Sequence, residues 1–154
     1  MKRLLIVFHA PSPNTERLLA AMQRGAGDEV FAGSVEAIAK PALEAGPDDV
    51  LACDAILLFT PENLGYMSGA MKDFFDRSYY ALLEEKQGLP CTIVIRAGHD
   101  GTGTRRAMES ILTGLRWRIT QEPLVLRGDW NESFVTQAGE AAMTLSAALD
   151  AGIL

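Results

Sequence analysis

The chain has 154 residues, 48% hydrophobic and 22% charged, a balance that excludes disorder and supports a single core-forming domain over 1–154. Fourteen basic against twenty acidic side chains leave a net charge of −6, which argues against nucleic acid or an anionic membrane as a partner.

The uninterrupted apolar runs at 4–8 and 55–59 are five residues each, where a membrane-crossing helix needs about 20. The basic start Met1-Lys2-Arg3 leads into a run that stops at His9 and Pro11, too soon for a secretion signal. A cytoplasmic location is expected. Cys53 and Cys91 stand alone, with no Cys-x-x-Cys and no nearby histidine, and read as small packing residues.

The first strand is expected over residues 3–8, where Leu4 to Phe8 form a continuous apolar run rather than an alternating one. Such strands are buried on both faces, as in a parallel sheet covered by helices. A helix over 14–24 puts Leu18, Leu19 and Met22 on one face, with Gly25 as its stop. Residues 29–33 read as a weaker second strand. Pro41, Gly46 and Pro47 break the stretch 34–53, which is read as a short helix, a turn and another short helix over 48–52. Residues 55–59 and 92–95 are continuous apolar strands again, and a weaker fifth follows over 123–127. A helix over 67–84 stacks Met67, Met71, Phe74, Phe75, Ser78 and Leu82. One over 104–115 stacks Met108, Ile111, Leu112 and Leu115. The last, over 131–150, stacks Phe134, Ala138, Ala141, Ala142, Leu145 and Leu149 behind an Asn131 N-cap.

Strands alternating with helices predict a doubly wound α/β sheet, which binds ligands beyond the carboxyl ends of its strands. Three loops fall there. His9-Ala10-Pro11-Ser12-Pro13-Asn14-Thr15 offers two hydroxyls and an amide at a helix N-terminus, with no carboxylate before Glu16. That chemistry suits an anion such as phosphate, although Ser12 or Asn14 serves equally as a plain helix cap. Thr60-Pro61-Glu62-Asn63-Leu64-Gly65-Tyr66 sets a glycine beside an aromatic. Ala97-Gly98-His99-Asp100-Gly101-Thr102-Gly103 has three glycines, so its backbone can approach a ligand closely.

Other chemistries lack their motifs. No Gly-x-Gly-x-x-Gly, no Gly-x-x-x-x-Gly-Lys-Ser/Thr and no Gly-x-Ser-x-Gly is present. With only His9 and His99 as histidines, no metal site is expected.

Three segments carry a resemblance. Ser12-Pro13-Asn14-Thr15-Glu16 is similar to the Thr-Gly-Asn-Thr-Glu phosphate loop of flavodoxin-like flavoproteins. The run Asp54–Glu62 resembles their strand leading into a Thr-Pro-Glu turn. The stretch Ser68–Arg77 resembles their Gly-Ala-x-Lys-x-Phe-x-Asp-Arg helix and is the most specific of the three. The chain looks like the NAD(P)H-dependent FMN reductase and flavodoxin-type oxidoreductase branch. The resemblance implies a three-layer sandwich with a five-stranded parallel sheet in the order 2-1-3-4-5. It implies non-covalent FMN, with its phosphate on Ser12, Asn14 and Thr15. The flavin ring would lie between Pro61, Glu62, Asn63, Leu64, Gly65 and Tyr66 on one side and Gly98, His99 and Gly101 on the other. Gly65 backbone would meet the flavin N5 edge, and Tyr66 or Trp130 would cover a ring face. No catalytic acid or base is implied, because the flavin does the redox chemistry. Ala10 and Pro13 depart from the family pattern, and Pro13 removes one backbone N–H from the phosphate cradle.

The expected activity is electron transfer from NAD(P)H through FMN to a flavin, a quinone or a similar acceptor, in a homodimer. The alternatives are a flavodoxin-like carrier serving a protein acceptor, and a scaffold that binds no flavin. Arg105 and Arg106, directly after the glycine-rich loop, are expected to hold the dinucleotide phosphates. Lys72, Arg77, Arg116 and Arg118 add positive charge expected near the same mouth, which favours the enzyme over the carrier.

Overall fold

A computed structural model describes all 154 residues. Its frame is a parallel sheet of β1 (Lys2–Phe8), β2 (Val35–Pro41), β3 (Ala55–Asn63) and β5 (Pro90–Ala97), in the order β2-β1-β3-β5. Two short strands share the next edge. β6 (Arg118–Ile119) pairs with Pro90 and Cys91, and β7 (Leu124–Arg127) pairs with Val94 to Ala97. The expected five-position order is therefore present, with its last position split in two. β4 (Tyr66–Met67) turns back antiparallel on the end of β3 and makes seven strands in all.

Two cores explain the continuous apolar strands. Leu4, Ile6, Leu57 and Phe59 project to one face, under α1 (Pro13–Ala26) and α5 (Ser133–Asp150). Leu5, Val7, Ile56, Leu58 and Ile93 project to the other, under α2 (Pro47–Leu51), α3 (Gly69–Leu82) and α4 (Thr102–Leu115). Alternate residues thus serve opposite cores, and each fully buried Leu or Ile contributes roughly 1.5–3 kcal/mol. In register, Phe8 faces Phe59, Phe59 faces Val94 and Val94 faces Leu124, so the strands end on one rim.

The second strand lies elsewhere than expected. Residues Glu29–Phe31 form a single 3-10 turn whose first N–H groups are met by Asp28, with Oδ1 accepting from Val30 N at 3.0 Å. The turn plugs Phe31 into the α1/α5 core. β2 follows at Val35–Pro41, where a short helix was expected. It is an edge strand with only Val35 fully buried, so its apolar signal is weak. The second short helix is present as α2. Gly25 does not stop α1, which continues to Ala26 and ends on Gly27. Gly25 instead lets α5 approach, since a Cβ there would overlap the carbonyl oxygen of Gly139. The N-cap of α5 is Glu132 rather than the expected Asn131, and Asn131 Oδ1 accepts from Ser133 N at 2.8 Å from one residue earlier. No helix is long and apolar enough to cross a membrane.

Candidate functional site

The loops after β1, β3 and β5 meet on the rim formed by the strand ends. The first leads into α1 with Ser12 as its N-cap. Ser12 Oγ accepts from Thr15 N at 3.2 Å, and Thr15 Oγ1 accepts from Ser12 N at 2.9 Å. Thr15 Oγ1 also donates to Ser12 O at 3.0 Å. The two hydroxyls predicted to bind an anion therefore close a reciprocal cap on the helix. The N–H groups of Ala10 and Asn14 take part in no hydrogen bond, and the Asn14 side chain is exposed and free. Pro11 and Pro13 bring no donors. This is a helix N-terminus with two unused N–H groups and no carboxylate before Glu16.

The second loop is a hairpin. β3 runs on through Pro61 to Asn63, and β4 returns as Tyr66 and Met67, with Asn63 opposite Tyr66. Its two turn residues, Leu64 at φ 53° and Gly65 at φ 74°, are both left-handed, as a type I′ turn requires. The Asn-Leu-Gly-Tyr sequence carried that signal in its glycine, and reading residues 60–66 as an open loop missed it. The hairpin base is fixed by two buried hydroxyls. Thr60 Oγ1 accepts from Ser68 N at 3.0 Å, and Ser68 Oγ accepts from Met71 N at 3.2 Å to cap α3.

In the third loop Gly101 is left-handed at φ 69°, and its missing side chain leaves room for Val125. Asp100 Oδ1 accepts from Thr102 N at 3.0 Å and covers the start of α4. The hairpin and this loop, expected to flank a ring, touch each other at two points. His99 N donates to Glu62 Oε1 at 3.4 Å, and the Gly65 carbonyl abuts the Cα of Gly103.

Two buried polar atoms around this rim lack partners, His9 Nδ1 after β1 and Thr104 Oγ1 in the first turn of α4. Burial lowers the pKa of His9, which keeps its imidazole neutral near pH 7. Free N–H groups, orphaned polar atoms and two glycine-bearing loops on one rim fit a phosphate-bearing, flat polar ligand. A cavity of about 250 Å³ between β2 and α2 is a poorer candidate, because its Lys40 and Asp49 neutralise each other at 2.6 Å.

The basic residues separate. Arg105 spends its guanidinium on Glu109 at 3.1 Å and Glu122 at 3.4 Å. Lys72 pairs with Asp76. Arg77 pairs with Asp73 and donates to the carbonyls of Ala42 and Ala45. Arg116 and Arg118 sit past the far end of α4, beside the start of β5, and not at the mouth. A 14-residue helix spans about 21 Å, so they are remote from the rim. Arg106 is exposed and makes no ion pair within the chain. Trp130 packs edge-on against Phe134, with ring centroids 5.7 Å apart. Arg17 and Arg96 lie 5.5 and 5.8 Å from the centre of its ring, and its Nε1 donates to Glu132 at 3.3 Å. Sequence reasoning missed this cluster, which joins residues more than 100 positions apart. Tyr66 stays 39% exposed on the hairpin.

Comparison with known proteins gives three kinds of likeness. The family model described as NADPH-dependent FMN reductase matches residues 15–132. A flavodoxin of Aquifex aeolicus strain VF5 is 31% identical over 119 residues, which cover 75% of this chain. The match spans 60% of that flavodoxin's own length. Among solved structures, a flavodoxin from the domain Archaea superposes with a TM-score of 0.79 at 14% identity, covering 96% of this chain and 98% of that one. A flavodoxin from Pseudomonas aeruginosa gives 0.76 at 19% identity, with coverages of 96% and 98%. An oxidoreductase from Corynebacterium diphtheriae gives 0.68 at 18% identity and 98% coverage of both chains. The structural likenesses establish a flavodoxin-like fold.

Proposed function

The chain belongs to the NADPH-dependent FMN reductase family, and on that footing we propose that it is an FMN-binding oxidoreductase that takes electrons from NAD(P)H and passes them to a flavin, a quinone or a similar acceptor. FMN, when bound, supplies the redox chemistry, and the protein supplies binding and orientation.

The observation that carries the reading is the start of α1. Its unused Ala10 and Asn14 N–H groups, and an exposed Asn14 amide, face a rim with no carboxylate before Glu16. A phosphate there gains from the donors and from the helix dipole together. Asn14 holds it directly, while Ser12 and Thr15, whose hydroxyls bond each other at 2.8 Å, hold the loop in shape. Pro61 to Tyr66 and Gly98 to Gly101 then hold the ring. Tyr66 covers part of it, and His9 Nδ1 finds a partner at this end. The further partners are NAD(P)H, with Arg106 at its phosphates, an electron acceptor, and a second copy of the chain. The setting is the cytoplasm.

One observation favours the alternative of an electron carrier with a protein partner. Arg105, expected to meet the dinucleotide, is already matched by Glu109 and Glu122. Two measurements test the reading. The purified protein should show the visible absorption of oxidised flavin, released as FMN on denaturation. It should also bleach under NADPH in the absence of any partner protein. Flavin that stays oxidised under NADPH and NADH but is reduced by dithionite would replace the enzyme with the carrier.

A further inference from the structure

We propose that Gly103 is the positioning residue of the hairpin tip, holding the Gly65–Tyr66 peptide in one orientation against the first turn of α4. The starting observation is a close approach. A Cβ on Gly103 would overlap the carbonyl oxygen of Gly65 and stand 3.4 Å from its carbonyl carbon. The backbone of Gly103 is not left-handed, so its conformation does not require glycine. Space requires it.

Beyond the β3–β4 pairing of Asn63 with Tyr66, little else fixes the tip. Leu64 is a left-handed residue with a Cβ, an unfavourable state, and its side chain is fully exposed and packs on nothing. The Glu62 to His99 bond is long, at 3.4 Å. Thr104, the next residue of α4, is buried with its hydroxyl unpartnered and clasps nothing in the turn. The Gly65 carbonyl oxygen accepts no hydrogen bond. It faces the positive end of α4, which favours a carbonyl oxygen, and Gly103 allows it near enough to benefit. Glycine in a helix is unfavourable relative to alanine, and here the close approach offsets that cost. The functional consequence rests on the FMN reading, in which the backbone at Gly65 meets the ring.

The test is Gly103→Ala in the full chain, with Gly69→Ala as a control. Gly69 opens α3, and a Cβ there meets nothing within 4 Å. The first readout needs no cofactor. The backbone amide resonances of Leu64, Gly65 and Tyr66 in the cofactor-free protein should move in Gly103→Ala and stay in Gly69→Ala. The added Cβ overlaps a backbone oxygen, so Gly103→Ala should melt below the parent while still folding, and Gly69→Ala should not. The second readout is titration with FMN and with riboflavin. Both Kd values should rise by the same factor, about tenfold, because the change acts at the ring end rather than the phosphate end. Unmoved amides at 64–66 overturn the proposal. Moved amides with parental Kd values for both flavins overturn its functional half. If the parent binds neither flavin, the FMN reading falls and the amide resonances alone decide the contact.

Discussion

Thr60 Oγ1 and Ser68 Oγ stand 3.2 Å apart in the fully buried base of the Pro61–Met67 hairpin. They tie the last turn of the β3 rim to the cap of α3, so one hydroxyl pair sets where the hairpin leaves the sheet. Thr60→Val keeps the shape and removes the acceptor of Ser68 N. A buried N–H left unpaired costs about 1–3 kcal/mol. The urea midpoint of the cofactor-free protein should fall accordingly, and Thr60→Ser should recover most of the loss. Equal midpoints for Thr60→Val and the parent would show that the hairpin is held by packing alone.

The start of α1 separates capping from ligand binding. Ser12 and Thr15 cap the helix, so Ser12→Ala or Thr15→Val should destabilise the cofactor-free protein by about 0.5–2 kcal/mol. Asn14 has no partner within the chain, so Asn14→Ala should leave that stability unchanged. It should weaken FMN binding about tenfold, the worth of one hydrogen bond to a charged group, and leave riboflavin untouched. Equal effects on FMN and riboflavin would remove Asn14 from the phosphate. Equal affinities of the parent for the two would remove the phosphate loop altogether.

Strand and loop legibility in the sequence followed burial. β1, β3 and β5 are buried on both faces, and their continuous apolar runs were legible. β2 lies at an edge with Glu36 and Lys40 in its length, and it was mistaken for a helix while Phe31 drew the strand to residues 29–33. Gly25 carried two possible meanings, a helix stop or a helix crossing, and only the position of Gly139 decides between them. At the site the three loops were legible because chain order alone puts them on one rim. Their contacts were not. The Thr60 to Ser68 pair, Gly103 under Gly65, and Trp130 with Arg17 and Arg96 all depend on which side chains the rim brings together.

His9 makes the rim sensitive to acid. Its Nδ1 is buried without a partner, and burial lowers its pKa below the ordinary 6.5. The folded chain therefore binds fewer protons at His9 than the unfolded chain does. Stability from this residue is complete above pH 6.5 and is lost as the pH falls toward the lowered folded value. The melting temperature of the cofactor-free protein should drop between about pH 7.5 and about pH 5.5, above the range where carboxylates titrate. His9→Asn should flatten that slope. A slope unchanged in His9→Asn would place the titrating group elsewhere.

Arg105 and Arg106 are the fourth and fifth residues of α4, near its N-terminal end, where the helix dipole disfavours cations. Each therefore needs a compensating anion. Arg105 has two in Glu109 and Glu122, one a helical turn on and the other ahead of β7. These pairs are largely exposed, so Arg105→Ala should shift stability by no more than about 1 kcal/mol and should leave the KM for NADPH nearly unchanged. Arg106 has no anion within the chain, and the dinucleotide phosphate is the group that would supply one. Arg106→Ala should then raise the KM for NADPH about three- to tenfold, with kcat and FMN content unchanged, because a remote phosphate contact contributes equally to ground and transition states. The effect should shrink as salt is raised, as it must for an exposed charge. Steady-state oxidation of NADPH with a quinone acceptor at two ionic strengths reads all of this. A KM that rises in Arg105→Ala and not in Arg106→Ala would mean that Arg105 leaves its carboxylates when the nucleotide arrives. Parental kinetics in both variants would place the nucleotide away from α4 entirely.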